Sequence, residues 1–185
     1  MSRYFVHPKA LVERGATIGR GARVWAFAHV QAGAAIGRDC NIGDHCFVEK
    51  GARVGDRVTI KNGVSVWDGV TLEDDVFVGP NAVFTNDLNP RSHKKDWRLD
   101  KTVIRRGATI GANATLLCGL SVGSYALIGA GALLSKDAPP HALMIGQPAR
   151  LAGRACFCGH GLVRFKSRWR CPHCGQCFDK DPCRV

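Results

Sequence analysis

A chain of 185 residues suits one sizeable core plus an appendage, and its 45% hydrophobic content is that of an ordinary globular protein, which excludes disorder over most of its length. No run approaches the roughly 18 apolar residues of a membrane span, and the opening MSRYFVHPK lacks the layout of a signal peptide, so the expectation is a cytoplasmic protein with no membrane partner. The net charge of +11 suits nucleic acid, but it suits a small polyanionic ligand equally well, so charge alone gives no reason to prefer a nucleic-acid partner.

From Val12 onward an aliphatic residue or Phe recurs every six positions, through Ile18, Val24 and Val30 to Val78 and Phe84, then from Ile104 to Leu134 after an interruption, nineteen in all. Two positions before each stands Ala, Cys, Val or Thr, with Leu120 the exception. The two slots share one side of a short strand, where side chains alternate with period two. Gly fills the position three before the aliphatic nine times and the position just after it eight times; Asp or Asn takes the first of these slots at Asp39, Asp75, Asn81 and Asn113. That pattern marks a turn needing positive φ or close backbone approach. A period of six with two inward residues does not fit an α-helix, whose apolar stripe recurs at 3.6. It predicts an all-β solenoid whose coils are triangles of short strands, about six coils for nineteen hexads.

Residues eighteen apart then stack, and the three faces differ. The face of Val12, Val30, Val48, Val66 and Phe84 carries His29, Phe47, Ser65 and Val83 outward, with Gln31, Glu49, Trp67 and Thr85 at the following corner and Trp25, Phe27, His45, Asn62 and Asn81 at the preceding one. Exposed aromatics among polar groups mark a binding surface, a subunit interface, or both. The next face, with Thr17, Ala35 and Arg53, reads as scaffold. The interruption, residues 85–102, leaves the decorated face as a projecting loop with Asn86, Asn89, Pro90, Arg91, His93 and Trp97, and long loops on a rigid scaffold are usually functional.

The hexads stop after Gly153, dividing the chain into a β-helix domain, 1–153, and a tail, 154–185. The tail places Cys156-Phe157-Cys158-Gly159 before Cys171-Pro172-His173-Cys174-Gly175. Two cysteine knuckles each followed by Gly are the pattern of a zinc ribbon, with Cys156, Cys158, Cys171 and Cys174 as thiolate ligands and His160, His173 and Cys177 as substitutes. A bound zinc supplies folding energy that so short a segment lacks, and metal-type spacing fits a reducing compartment. Between the knuckles, RFKSRWR (Arg164 to Arg170) interleaves bases with aromatics, a nucleic-acid signature that a ribbon hairpin explains more simply.

The hexad register resembles the hexapeptide-repeat family over roughly residues 8–152, which implies a left-handed parallel β-helix and a homotrimer. More narrowly, VWAFAHV (Val24 to Val30), NGVSVWDGVTLEDDVFVGPNAVFTNDLNPR (Asn62 to Arg91), GATIGANATLLCG (Gly107 to Gly119) and IGAGALLSKD (Ile128 to Asp137) together resemble bacterial N-acetyltransferases that act on a nucleotide-linked 3-amino sugar, such as the UDP-linked 3-amino-glucuronate of O-antigen synthesis. The resemblance implies acetyl-CoA as co-substrate, Asn86 holding the amino sugar, Arg91 organising the loop or meeting an acidic sugar, Gly129 and Ala130 lining the pantetheine groove, and Arg150 of GQPAR near a coenzyme A phosphate. Lys61-Asn62-Gly63 stands where the subfamily has Gln-Asn-Asn, so contacts at that corner are open. Trp25, Glu49, Asn62, Trp67 and Thr85 complete the expected acceptor surface. Positioning of an amine beside a thioester carries most of the chemistry, a backbone N–H near Gly129 is the expected oxyanion donor, and His29, then His45, are the candidate bases because histidine titrates near neutrality. A sugar O-acetyltransferase is an alternative on the same scaffold; a γ-class carbonic anhydrase needs three converging histidines including a close pair, and His7, His29, His45 and His93 offer no such pair. A nucleic-acid-binding scaffold using the tail is the non-enzymatic alternative.

Overall fold

The computed structural model describes residues 4–93 and 98–184, so Trp97 of the loop lies outside the described residues. All 25 secondary-structure elements among them are strands, and no helix is long and apolar enough to cross a membrane. A first wall stacks Phe5–Val6, Arg23–Val24, Asn41–Ile42, Thr59–Ile60, Phe77–Val78, Thr109–Ile110 and Leu127–Ile128 and closes with the hairpin Ala142–Gly146 and Ala149–Arg154. The second, decorated wall stacks Leu11–Val12, His29–Val30, Phe47–Val48, Ser65–Val66, Val83–Phe84, Thr115–Leu116 and Leu133–Leu134. The third stacks Thr17–Ile18, Ala35–Ile36, Arg53–Val54, Val70–Leu72, Thr102–Ile104 and Ser121–Val122. Rungs within a wall are parallel and in register, Thr59 opposite both Asn41 and Phe77, so the chain is a parallel β-solenoid of stacked coils. Phe5–Val6 adds a rung before the first hexad counted from Val12.

The alternation of two residues per rung builds the core. Val24, Ile42, Ile60, Val78, Ile110 and Ile128 of the first wall have 0% exposure, and the small slot beside them holds Ala22, Cys40, Val58, Val76, Ala108 and Ala126, all buried. A large residue and a small one per side fill the narrow triangle without voids. Most corners turn through a left-handed residue. The expected Asp39, Asp75, Asn81 and Asn113 have φ of 54°, 63°, 56° and 55°, and the same slot also forces Phe27, His45, Arg57 and Tyr125 to 56–59°. Gly19 shows why the following position favours glycine: a Cβ there would lie 2.5 Å from the Gly37 carbonyl carbon of the coil above.

The edge between the third and first walls is laced by ion pairs between successive coils: Arg38 to Asp56 at 2.6 Å, Arg57 to Asp75 at 2.6 Å and Arg106 to Asp74 at 3.2 Å. Hydrogen bonds from Arg38 and from Arg57 hold Asp56 and Asp75 below the usual carboxylate range. The projecting loop leaves the edge between the second and third walls after Phe84. It ends one residue earlier than the sequence suggests, because Thr102 already pairs with Val70 and fills a small inward slot. Its returning end lies on the same edge, with Leu99 against Gly69 and Asp100 against Gly119.

The tail is a three-stranded antiparallel sheet of Val163–Phe165, Arg168–Arg170 and Cys177–Phe178 around a small core of Cys156, Leu162 and Cys171. It is docked on the solenoid rather than strung from it. Arg154, still paired with Ala142 in the closing hairpin, meets Asp181 at 2.7 Å; Tyr125 and His141 pack against Phe157, and His141 against Phe178. The Arg154 hydrogen bond draws Asp181 down to about 2.

Candidate functional site

Along the second wall the outward residues His29, Phe47, Ser65 and Val83 occupy consecutive rungs. His29 meets Phe47 edge-on at 5.3 Å between ring centroids, and Phe47 tilts against Trp67 at 5.5 Å. The Trp67 indole N–H donates to the Phe84 carbonyl at 2.8 Å, two residues from Asn86, so Trp67 and the root of the loop share one edge. Thr85 is also fixed there, its hydroxyl accepting from the Cys118 N–H at 2.9 Å. Glu49 accepts the Asp68 N–H at 2.8 Å, a contact that secures the corner and occupies one carboxylate oxygen. Asn86 is half-buried at the loop root, and Arg91 is exposed with its guanidinium on the Pro90 carbonyl at 2.8 Å.

The edge between the first and second walls carries a different set. Trp25 donates from its indole to Asn41 at 2.8 Å and packs on Phe5; Phe27 and His45 stack at 4.9 Å, presented outward by their left-handed backbone. Asn62 accepts the Asp44 N–H at 3.3 Å. Near the C-terminal end of this edge come Gly129 and Ala130. A Cβ on Gly129 would lie 2.7 Å from the Ile145 side chain, and Ile145 is the strand partner of Arg150, so the closing hairpin brings Arg150 beside this glycine corner. The Gly129 N–H already donates to the Met144 carbonyl at 2.8 Å, which removes it as an oxyanion donor; the exposed Ala130 N–H has no acceptor among the described residues.

Within one protomer the two histidines stand apart from Asn86. His29 lies three rungs below Val83, about 14 Å along the axis at the spacing of neighbouring strands. His45 lies on the opposite edge of the wall and two rungs lower, as Ala130 lies on that edge two rungs higher. Nor does one protomer bring Asn86 to Ala130, since they stand on opposite edges of the second wall.

Sequence reasoning missed Glu13. Its Oε1 lies 2.6 Å from His29 Nε2 and its Oε2 accepts the Ala32 N–H at 2.9 Å; that backbone hydrogen bond first, and His29 second, hold the carboxyl below its usual range. Glu13 belongs to the Gln31, Glu49 and Trp67 column one coil lower, so eighteen-residue stacking could have found it.

In the tail, the sulfurs of Cys156, Cys158, Cys171 and Cys174 lie within 4.8 Å of one another, with Cys156 to Cys174 at 3.6 Å and Cys158 to Cys171 at 3.5 Å. Four thiolates on one tetrahedral zinc with 2.3 Å bonds are about 3.8 Å apart, so the donor set fits that ion. The exposed Cys158, His160 and His173 form a second, overlapping group.

Residues 6–50 and 51–86 match the family described as bacterial transferase hexapeptide (six repeats), and residues 102–136 match the hexapeptide repeat of succinyl-transferase. The chain is 45% identical over 172 residues to the dTDP-3-amino-3,6-dideoxy-alpha-D-galactopyranose 3-N-acetyltransferase of Aneurinibacillus thermoaerophilus, covering 93% of this chain and 88% of that protein. The chain belongs to the hexapeptide-repeat acetyltransferases. Among solved structures, this acetyltransferase is similar to the acetyltransferase domain of PglB from Neisseria gonorrhoeae FA1090 in complex with acetyl coenzyme A, at 26% identity and a TM-score of 0.54 over 80% of this chain and 57% of that one. A perosamine N-acetyltransferase mutant from Caulobacter crescentus shares the fold at 23% identity and a TM-score of 0.55, over 81% of this chain and 56% of that one. The chain thus spans little more than half the length of either solved acetyltransferase.

Proposed function

We propose that the chain transfers an acetyl group from acetyl-CoA to the amino group of a nucleotide-linked amino sugar, with a dTDP-linked 3-amino sugar as acceptor and a UDP-linked one as the second choice. The observation that carries this reading is the 45% identity to an enzyme named for that reaction across 93% of the chain. The polar loop root beside an aromatic column supports an acceptor surface, and the glycine corner beside Arg150 supports a thioester groove.

In this mechanism the neutral amine attacks the thioester carbonyl, the C–N bond forms, the C–S bond breaks, and the departing thiolate takes the ammonium proton. Asn86 orients the amine, Ala130 N–H stabilises the oxyanion, and Arg91 steadies the loop. No protein base is required in this reading, because the departing thiolate takes the proton. Because Asn86 and Ala130 stand on opposite edges of one wall, the site is completed between subunits of a homotrimer built on left-handed coils. The four tail cysteines hold a structural zinc, in keeping with a reducing cytoplasm. Nucleic acid is not the partner in this reading: the Arg154 and Arg164 guanidinium carbons stand 4.8 and 5.8 Å from the Trp169 ring centre, so the ring is already engaged by cations of its own chain.

Acetyl-CoA consumption with dTDP- and UDP-linked 3-amino sugars tests the reaction. Asn86→Ala is expected to lower catalytic efficiency at least tenfold, about 1.4 kcal/mol of transition-state stabilisation. A value within about twofold of the parent would remove Asn86 from the site.

A further inference from the structure

The Glu13–His29 pair, which the acetyl-transfer chemistry leaves without a task, lies on the same wall as the acceptor column. We propose that the lower half of this wall is a nucleoside subsite in which Phe47 packs against the base and His29, fixed by Glu13, reads the imide N–H of thymine or uracil. This rests on the amino-sugar reading above and extends it to base selection.

The geometry runs as a measure along the axis. Ala130 and Arg150 belong to coils C-terminal to the Val83–Phe84 rung, so the acetyl donor occupies the upper end of the wall. An acceptor whose amine sits at Asn86 must extend its nucleotide toward the lower end. The three rungs from Val83 to His29 cover about 14 Å, comparable to the span from the amine of a diphosphate-linked hexose to its base. Ser65, the one outward residue between Phe47 and Val83 and smaller than either, offers a hydroxyl at the height the diphosphate would pass, and the exposed Lys61 on the adjoining edge supplies positive charge on that coil.

The hydrogen-bond inventory then assigns the lower residues. Glu13 spends one oxygen on the Ala32 N–H and the other on His29 Nε2, so it serves as a positioning residue. Glu13 holds Nε2, and Nδ1 has no partner among the described residues; in the proposed subsite the ring binds in its neutral form, whose proton the carboxylate, which only accepts, keeps on Nε2, so that Nδ1 accepts. Such an acceptor complements the N3–H of thymine or uracil and opposes the bare N3 of cytosine. The half-buried Phe47 ring lies one rung above and supplies an apolar surface beside it.

Calorimetry with dTDP, UDP and CDP on the full-length protein tests this directly. The expected result is that dTDP and UDP bind and CDP binds at least tenfold more weakly. Phe47→Leu and His29→Ala should each weaken dTDP at least tenfold and raise the acceptor KM by a similar factor, leaving kcat within threefold and the acetyl-CoA KM unchanged. Glu13→Gln should collapse the preference for dTDP over CDP, whereas a purely structural role would weaken both alike. Equal affinity for CDP, or a His29→Ala enzyme that loses kcat and the acidic limb of its pH profile at unchanged acceptor KM, overturns the subsite. Selective nucleotide binding without acetylation of any amino sugar would instead overturn the proposed reaction and leave the subsite standing.

Discussion

Thr59 and Ile60 share one two-residue strand, yet Ile60 is fully buried while Thr59 faces outward and is only half-buried. Replacing Ile60 by Ala removes core volume that close-packed neighbours cannot refill and is expected to cost about 2 to 5 kcal/mol. Thr59→Ala should stay within about 0.5 kcal/mol, and denaturant unfolding of the two variants measures the contrast directly. Gly129 is a different kind of constrained residue: an added methyl would press on Ile145, so Gly129→Ala is expected to raise the acetyl-CoA KM severalfold by shifting the hairpin that carries Arg150. At this scale the sequence is legible wherever side-chain chemistry and backbone demand agree. Asp39 and Asn81 announce their left-handed turns, but Phe27, His45 and Tyr125 adopt the same φ because the corner imposes it, and nothing in their own preferences signals it.

At the scale of elements, every wall was readable because the inward slots repeat without regard to what the outer surface does. Docking of the tail was not readable. It depends on His141, Tyr125, Phe157 and Phe178 meeting across long stretches of chain, and on Arg154 finding Asp181, none of which has a period. The edge ion pairs carry a pH signature. Asp56 and Asp75 have lowered folded-state pKa values, so their contribution is fully present above the unfolded carboxylate range near 3.9 and disappears as pH falls through the lower folded values. Thermal unfolding is therefore expected to hold steady from pH 7 to about 5 and to decline below about 4, with a smaller decline in Asp56→Asn, whose lost pairing no longer titrates. For the tail, stripping metal with a chelator should abolish the three-stranded sheet while the main solenoid transition persists, as read by hydrogen exchange. Simultaneous loss of both would mean that the solenoid needs the tail to fold.

For the whole molecule, the site placement makes a demand that one protomer does not meet. In the proposed reaction, Asn86 and the Ala130–Arg150 corner are supplied by neighbouring chains of a homotrimer. Mixed trimers of inactive Asn86→Ala and Arg150→Glu protomers should therefore regain activity, at most about a quarter of the parent, because random assortment restores one intact site in four. No recovery after verified subunit exchange would place both residues in the same chain's site. The location of Glu13, His29 and Asn86 on one wall follows from counting in eighteens. Their separation along it becomes evident only when the strand-to-strand spacing is applied to the count.

Constant spacing also gives the wall the character of a graduated scale. Excising one complete coil, residues 49–66, would keep every corner in phase and rejoin equivalent positions, yet it would bring the base-reading end closer to the acetylation end by about 4.8 Å. If the proposed base subsite holds, substrate length on this protein is counted in whole coils, and the excised variant is expected to shift its preference from diphosphate-linked toward monophosphate-linked sugars.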